Sequence, residues 1–523
     1  MAREFNITGI CNPELHYMAD TSGKISQIVK LIEGRKYFTI NRPRQYGKST
    51  SLTLLKRHLE DKYLVLRTSL ESVGKESYEN VETFCECLYL LLETRLEIDG
   101  KKNLLPILGE LKQIKSFGEL SRFITNFVKA SDKEVVLLID EVDDGTNNDV
   151  FIKFLSLLRD KYNERNADGI PTFKAVVLAG VHDVKNLHFQ ITGREAFRKA
   201  SPWNIATSFT VDMSFDLKEI RSLLEDYLSE NPTIQMDVDF IAEKIHYFTG
   251  GYPFLVSYLC HLVERDFEGD DKWNEHHLEQ AVNTVLDSDN TNFDSLIKNL
   301  TNHEDLYRLV EKIVLEGENF RYKSSAAAIE KGRLYGILAP SERGVAKIHN
   351  PIYEMMIYNH LTESLQTATP LTLVVNHTVT TYRNVDGSLN MALAFEKYTA
   401  YLKSLYDDAQ DAFVEKNARL LLGVFMKSII NGAGFFIWES QIADRLRPDI
   451  TITYNRFKYL IELKIWHGDE YFKSSIEKLY GYIIRENLDV GYLLFHDFRK
   501  ENHRRFTHEI IQKSGKAIHV YFV

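Results

Sequence analysis

Asp449, Glu462 and Lys464 are residues whose types and spacing could do chemistry together. Asp449 stands in Arg447-Pro448-Asp449 at the head of a β-prone run, and Glu462 and Lys464 sit one residue apart in Tyr459-Leu460-Ile461-Glu462-Leu463-Lys464. Alternation along a strand puts Glu462 and Lys464 on one face and Ile461, Leu463 and Ile465 on the other. A two-residue turn at Asn455-Arg456 sets Asp449 opposite Glu462, and a four-residue turn sets it opposite Lys464. Either register gathers the three groups on one face. Two carboxylates and an ammonium so placed suit a divalent cation, a phosphodiester and an attacking water. The same residues also fit a turn and a solvated strand face with a weak ion pair.

A second set lies near the N-terminus. Residues 36–40 read as a short strand, followed by Asn41-Arg42-Pro43-Arg44-Gln45-Tyr46-Gly47-Lys48-Ser49-Thr50 and a helix through Leu52, Leu54 and Leu55. In strand, loop, Gly-Lys-Ser, helix, backbone N–H groups and the helix N-terminus can cradle phosphate. Lys48 then reaches the β- and γ-phosphates, and the Ser49 hydroxyl binds Mg²⁺. The pattern G-x-x-x-x-G-K-[ST] wants Gly at position 42, where this chain has Arg42. The run Val135 to Asp140-Glu141 reads as a buried parallel strand ending in two acids. Asp140 there can hold the Mg²⁺ shell and Glu141 can polarise a hydrolytic water. A buried strand meeting an ordinary acidic loop would look the same, but the two elements together favour ATP binding. Gly47, Lys48, Ser49, Thr50 and Asp140 are the expected ligands of ATP and Mg²⁺. Arg42, Arg44, Arg194 and Arg198 could each bring positive charge to the γ-phosphate, although solvated arginines are commoner.

The elements that must position these residues follow an α/β pattern. Residues 173–181 read as a further apolar strand, with helices at 81–96 and 151–158. Beyond about residue 212 come four amphipathic helices, at 217–227, 238–248, 254–266 and 276–286. Short helices in 292–359 lead to 334–338, a polar turn at 341–344 and a strand at 345–349. Three stretches, Asn41 to Ser49, Ser201-Pro202-Trp203-Asn204-Ile205 and Thr249-Gly250-Gly251-Tyr252-Pro253-Phe254-Leu255, carry a likeness over residues 1–361. That region resembles AAA-like ATPases of the bacterial and archaeal type related to STAND NTPases. The resemblance implies a P-loop NTPase core with a parallel sheet, a helical lid and a winged-helix-like domain, and puts the Gly-Gly-Tyr-Pro-Phe-Leu segment near the nucleotide. A plain helix start with Pro in its first turn is equally compatible with that segment. Winged helices can bind DNA or couple domains, and the acidic balance favours coupling.

At the C-terminal end, a helix around 413–422 carrying Glu415 precedes a strand at 435–438, the Asp449–Lys464 hairpin, a helix at 474–484 and a strand at 490–495. This order resembles the PD-(D/E)xK nuclease superfamily, in particular the nuclease domains fused to bacterial AAA-like ATPases. The resemblance implies that Asp449 and Glu462 bind Mg²⁺, that Lys464 orients water and stabilises negative charge, and that Glu415 is an additional acid. An i,i+4 pair of Glu415 with Arg419 on a solvated helix face fits as well. Many relatives carry Gln-x-x-x-Tyr in the later helix, whereas this chain has Lys478 before Tyr482. That departure leaves metal chemistry open and puts substrate positioning in doubt.

The expected organisation is a P-loop core at 1–212, a helical lid at 213–290, a winged-helix-like domain at 291–361, a linker at 362–390 and a nuclease-like α/β domain at 391–523. A length of 523 residues agrees with three or four domains, and 44% hydrophobic with 26% charged residues is ordinary for globular protein. Net charge is −10, unevenly spread: residues 401–523 hold 18 Lys and Arg against 16 Asp and Glu, leaving 46 against 58 elsewhere. The C-terminal part is therefore the less repulsive place for a phosphate backbone. Four cysteines, scattered, argue against a disulfide framework or a zinc site and for a reducing cytoplasm. No signal peptide and no membrane span are expected. The leading expectation is an ATP-binding, ATP-hydrolysing protein regulating a Mg²⁺-dependent nuclease, with nucleic acid, DNA foremost, as partner and self-association as a homo-oligomer in view. The alternative is a nucleotide-dependent switch whose C-terminal fold binds DNA or a protein without cutting. A third reading is a transcription regulator acting through the winged helix.

Overall fold

Four short strands build the first sheet: β1 (Tyr37–Asn41), β2 (Leu64–Ser69), β3 (Val135–Asp140) and β4 (Ala175–Gly180). All pair in parallel, in the order β1-β4-β3-β2. Strands β3 and β4 are buried along their whole length, because helices cover both faces of a parallel sheet. On one face, Phe84 and Leu88 of the helix Val81–Ile98, Leu120 and Phe127 of Phe117–Ala130, and Phe151 and Leu155 of Asp149–Asp168 pack into one core with Leu66, Leu137 and Val176. Each such fully buried Leu or Phe contributes about 1.5–3 kcal/mol. The helix Lys48–Leu59 follows β1 directly and buries Leu52, Leu55 and Leu59. Beyond β1, Thr207 pairs with Phe38 in parallel, and Trp203 is buried against Tyr37 with its Nε1 donating to Thr39 Oγ1 at 3.0 Å. The sheet edge at β1 is thereby covered.

The computed structural model describes residues 3–146, 148–181, 203, 205–288, 290–316, 318–323, 325–341, 343–368, 382–407, 421–423, 425–426, 429–430, 434–438, 448–454, 457–497 and 506–523. They form two units. The first is Met1–Trp273 with Glu330–Ile337, and the second is Asn274–Ile329 with Leu338–Val523. Among the described residues no helix is long and apolar enough to cross a membrane.

In the first unit the helices Leu217–Glu230, Val238–Thr249 and Pro253–Asp266 come after the sheet, close to the expected spans. Asp216 and Glu219 cap the first reciprocally, side chain to backbone each way, which is why it starts there. Between the second and third, Gly250 and Gly251 both adopt left-handed φ, +57° and +73°. A Cβ on Gly251 would lie 2.1 Å from Phe215 O, so two glycines are required to bring the third helix in. The fourth expected helix, Glu275–Asp287, belongs to the second unit and packs on the helix Pro351–Ala368.

After the helix Glu275–Asp287 the second unit continues with helices Thr291–Thr301 and Glu304–Glu311 and a small antiparallel hairpin, β5 (Leu338–Pro340) with β6 (Ala346–Ile348). Its main sheet has six strands: β7 (Gly434–Trp438), β8 (Ile450–Tyr454), β9 (Phe457–Ile465), β10 (Val490–His496), β11 (Thr507–Lys513) and β12 (Lys516–Phe522), ordered β11-β12-β10-β9-β8-β7. The mixture follows from connection length: β8 and β9 join by a tight hairpin and are antiparallel, while the helix Asp469–Arg485 carries the chain from β9 to a parallel β10. That helix packs Leu479, Tyr482 and Ile483 on Leu460, Leu493, Phe495, Ile518 and Val520. From the helix Met391–Asp407, Phe395 meets Tyr492 and Tyr521.

Candidate nucleotide and metal sites

In the first unit, the chain between β1 and the helix Lys48–Leu59 turns back on itself. Gly47 takes φ +74° at the helix start, and Gln45 takes +55°. Arg42 is not among the positive-φ residues, so its position does not need glycine's freedom. The Arg42 side chain leaves the loop: it donates to Val211 O at 2.6 Å and Asn41 O at 2.9 Å, and lies over the Phe209 ring. Its charge is spent on that packing rather than aimed at a phosphate. Arg44 is exposed, and Arg194 and Arg198 lie outside the described residues.

Lys48 is 5% exposed and its Nζ donates to the carbonyls of Pro43 and Arg42 at 2.9 and 3.1 Å. Burial pulls its pKa down, while Glu141, Asp143 and Asp140 pull it back up. The acids come from the end of β3. Asp140 is 3% exposed and accepts from its neighbour's N–H, Glu141 N to Oδ1, at 3.1 Å. Glu141 has φ +50°, and burial, with Asp140, Asp143 and Glu71 adding, lifts its carboxyl above the ordinary range against the pull of Lys48. Asp143 Oδ2 accepts from Val181 N just after β4 at 2.6 Å. Ser49 and Asp140 converge on one guanidinium: Arg67 Nη2 lies 3.4 Å from Ser49 O and 3.9 Å from Asp140 Oδ2.

Beside Gly47 and Thr50 opens a cavity of about 140 Å³, with Ile7, Thr8 and Cys11 from the N-terminal segment and Met213, Phe215 and Pro253 from the helical part in its wall. The Thr50 hydroxyl accepts from Cys11 N at 3.1 Å, tying that wall to the loop helix. Tyr252 Oη donates to Arg44 O at 2.5 Å and its ring meets Tyr46 edge-on at 4.6 Å, so the Gly-Gly-Tyr-Pro segment does touch the loop. Gly336, of the short segment 330–337, sits against Pro43. Neither Arg67 nor Gly336 was singled out in the sequence; a basic residue directly after the apolar run Leu64 to Leu66 was the available signal for Arg67.

In the second unit, Ile450 pairs with Ile461 and Tyr454 with Phe457, the two-residue-turn register that puts Asp449 across from Glu462. Glu462 is completely buried. Lys464 Nζ lies 2.5 Å from Asp449 Oδ2, 2.6 Å from Glu462 Oε2 and 3.2 Å from Leu463 O. Three oxygens thus face one point, which the Lys464 ammonium holds. Asp449 is held by Leu463 N, which donates to its Oδ2 at 2.9 Å, and Glu462 Oε1 accepts from Asp449 N at 3.3 Å. From the helix Asp469–Arg485, Lys478 Nζ reaches Glu462 Oε2 at 3.1 Å and lies over the Tyr482 ring. Burial raises the pKa of Glu462 and Asp449 adds to it, while Lys464 and Lys478 oppose. Burial opposes the charge on Lys464, but the two carboxylates outweigh it and hold its pKa above the usual lysine range. Among the described residues no three His, Cys, Asp or Glu side chains group as metal ligands. The oxygens that fit a hard cation are two carboxylates and a carbonyl, the donor type such ions take. Glu415 lies outside the described residues.

No model of a known protein family matches the chain. A curated relative, an uncharacterized WD repeat-containing protein of Synechocystis sp., is 24% identical over 241 residues, 45% of this chain and 19% of that protein. The chain thus spans about a fifth of the length of the curated relative it matches. Among solved structures, a Walker-type ATPase of Pyrococcus abyssi is similar with 14% identity and TM-score 0.48, over 68% of this chain and 99% of that one. The ORC2 protein of Aeropyrum pernix, solved in ADPNP–ADP complexes, matches with 12% identity and TM-score 0.42, over 69% and 98%. The RuvB Holliday junction branch migration motor of Thermotoga maritima matches with 14% identity and TM-score 0.31, over 66% and 95%. These are likenesses of outline; the sites stand on their own residues.

Proposed function

We propose that the first unit binds ATP with Mg²⁺ and hydrolyses it, and that the second is a PD-(D/E)xK-type nuclease domain acting on nucleic acid, DNA foremost, under control of the nucleotide state. The observation that carries the first half is the left-handed Gly47 and buried Lys48 at a helix start, across from Asp140 and Glu141 at the end of a neighbouring buried strand. The 140 Å³ cavity beside Thr50 suits a nucleobase, with apolar walls such as Ile7, Met213 and Phe215 and polar groups such as Asn6 and Thr50. In this reading Lys48 exchanges the carbonyls of Arg42 and Pro43 for phosphate oxygens. Ser49 and Asp140 would hold the cation. Glu141, its carboxyl lifted by burial, takes the proton of the attacking water.

The convergence of Asp449, Glu462 and the Leu463 carbonyl on one point supports the second half. With Lys464 Nζ moved off them, those oxygens would hold Mg²⁺, which when bound would neutralise charge on the scissile phosphate and lower the pKa of its water. Lys464 orients that water and stabilises developing negative charge. A switch that binds nucleic acid or protein without cutting is favoured by one observation. Lys464 and Lys478 together already balance both carboxylates.

The test is plasmid and single-stranded DNA incubated with Mg²⁺ or Mn²⁺, with and without ATP, comparing wild type with Asp449→Ala and Lys464→Ala. Cutting that needs metal and is lost in both variants is the expected result. Nucleotide-dependent binding with no cutting under any metal would sink the nuclease and leave the switch.

A further inference from the structure

Arg67 lies in β2 between Leu66 and Thr68, which face the helix core. Its own side chain points the other way and ends at the first turn of the helix Lys48–Leu59. The side chain is only 14% exposed. A guanidinium so placed should be well paired, because a buried charge with loose partners is costly. This one is not well paired. Its contact to Ser49 O is long at 3.4 Å, its approach to Asp140 Oδ2 is 3.9 Å, and its Nε is buried with no hydrogen-bond partner among the described residues. Burial lowers its pKa and Arg95 lowers it further, Asp140 opposing, yet an arginine stays charged at any ordinary pH.

The guanidinium therefore stands beside the two residues, Ser49 and Asp140, assigned above to the cation. Two positive groups cannot share that place unless a third, strongly negative group enters with them. We propose that Arg67 is the resident counter-ion of the nucleotide site: it holds Asp140 while phosphate is absent and makes entry of a divalent cation conditional on nucleotide. This rests on the reading of the first unit as a nucleotide site. The triphosphate is the group that balances both cations, so the site takes metal and nucleotide together and metal alone is turned away. Arg67 is a positioning residue in this scheme, acting through Asp140.

The probe is Mn²⁺, followed by electron paramagnetic resonance of the free ion. The protein is the full chain carrying Asp449→Asn and Glu462→Gln, so that the C-terminal carboxylates do not contribute. Without nucleotide the parent is expected to take up no Mn²⁺ below about 1 mM, and Arg67→Gln to gain a site at least about tenfold tighter, which Asp140→Asn removes. Arg67→Lys keeps the charge and is expected to behave as the parent. Adding a non-hydrolysable ATP analogue is expected to bring Mn²⁺ to the parent, beyond what the analogue binds without protein. The proposal is overturned if Arg67→Gln binds no tighter than the parent. It is equally overturned, whatever the variants do, if the parent alone binds Mn²⁺ tightly at a site lost on Asp140→Asn. Binding of a fluorescent ATP analogue in the presence of Mg²⁺ is read separately. Its absence removes the nucleotide reading itself, whereas analogue binding with unaltered Mn²⁺ behaviour removes only the role of Arg67.

Discussion

Lys48 and Lys464 show how surroundings decide what one residue type can do. Lys48 is buried among carbonyls, so its charge is disfavoured and ready to be exchanged for a better partner. Lys48→Ala is therefore expected to weaken ATP affinity at least about tenfold, measured by calorimetry, since a charge-assisted bond is lost. Unchanged affinity would mean the nucleotide assignment is wrong. Lys464 is locked between two carboxylates, one of them wholly buried. Lys464→Met should cost about 3 kcal/mol or more, because it leaves Glu462 buried with less compensation. The sign with pH follows from the raised pKa of Glu462. A carboxyl whose folded pKa lies above its unfolded value gives stability at low pH that is lost as pH rises through the folded pKa. The deficit of Lys464→Met should therefore shrink as pH falls toward the carboxylate range; a deficit that does not change with pH speaks against this account.

Among the elements, the helix Pro253–Asp266 is held by two features of different kind. At its start, Gly251 allows Phe215 N to donate to Gly251 O at 2.7 Å, a closeness no side chain would permit. Gly251→Ala is expected to destabilise the first unit by about 2 kcal/mol or more, seen as a lower melting temperature, and to loosen the Tyr252–Arg44 contact with the loop. Near its end, Glu264 has a carboxyl pushed up to about 7 by burial, with Glu4 and Glu268 adding. Between the ordinary value and about 7 the folded state binds more protons than the unfolded one, so stability declines as pH rises through that window. Glu264→Gln should remove this decline and raise the melting temperature relative to wild type at pH 8. Parallel melting curves of the two proteins from pH 5 to 8 would show that the group is not coupled to folding.

For the whole molecule, the proposal joins two chemistries in one chain, and its prediction concerns their linkage. Lys48→Ala, remote in sequence from Asp449, should change the rate of DNA cutting, or its response to ATP, while Asp449→Ala leaves ATP affinity intact. Independent behaviour of the two activities would dissolve the regulatory scheme. The charge balance sets a second expectation. With 18 basic against 16 acidic residues in 401–523, few phosphates can be neutralised, so the logarithmic salt slope of DNA binding should be no steeper than about −4.

Periodicity and residue type determined much of this protein unaided. The apolar runs of β3 and β4 are continuous and those of β1 and β10 nearly so, and the amphipathic helices 217–266 carry apolar stripes, so local order alone revealed them. The face shared by Glu462 and Lys464 also follows from alternation, whatever they pair with. Strand β2 is hidden because Arg67 and two hydroxyl residues end its apolar run, and β11 because an exposed edge strand has no hydrophobic period to show. Other features depended on groups distant in the chain. The turn register was open until Tyr454 met Phe457. Where the Arg42 side chain goes is decided by Val211 and Phe209, which receive it. Lys478 reaches Glu462 only because its helix lies across β9. The cavity beside Thr50 exists because residues near positions 7, 213 and 253 are brought together. Sequence patterns report each residue's own preference for water or core; which charges meet is set by contacts across hundreds of residues, and only the folded chain decides them.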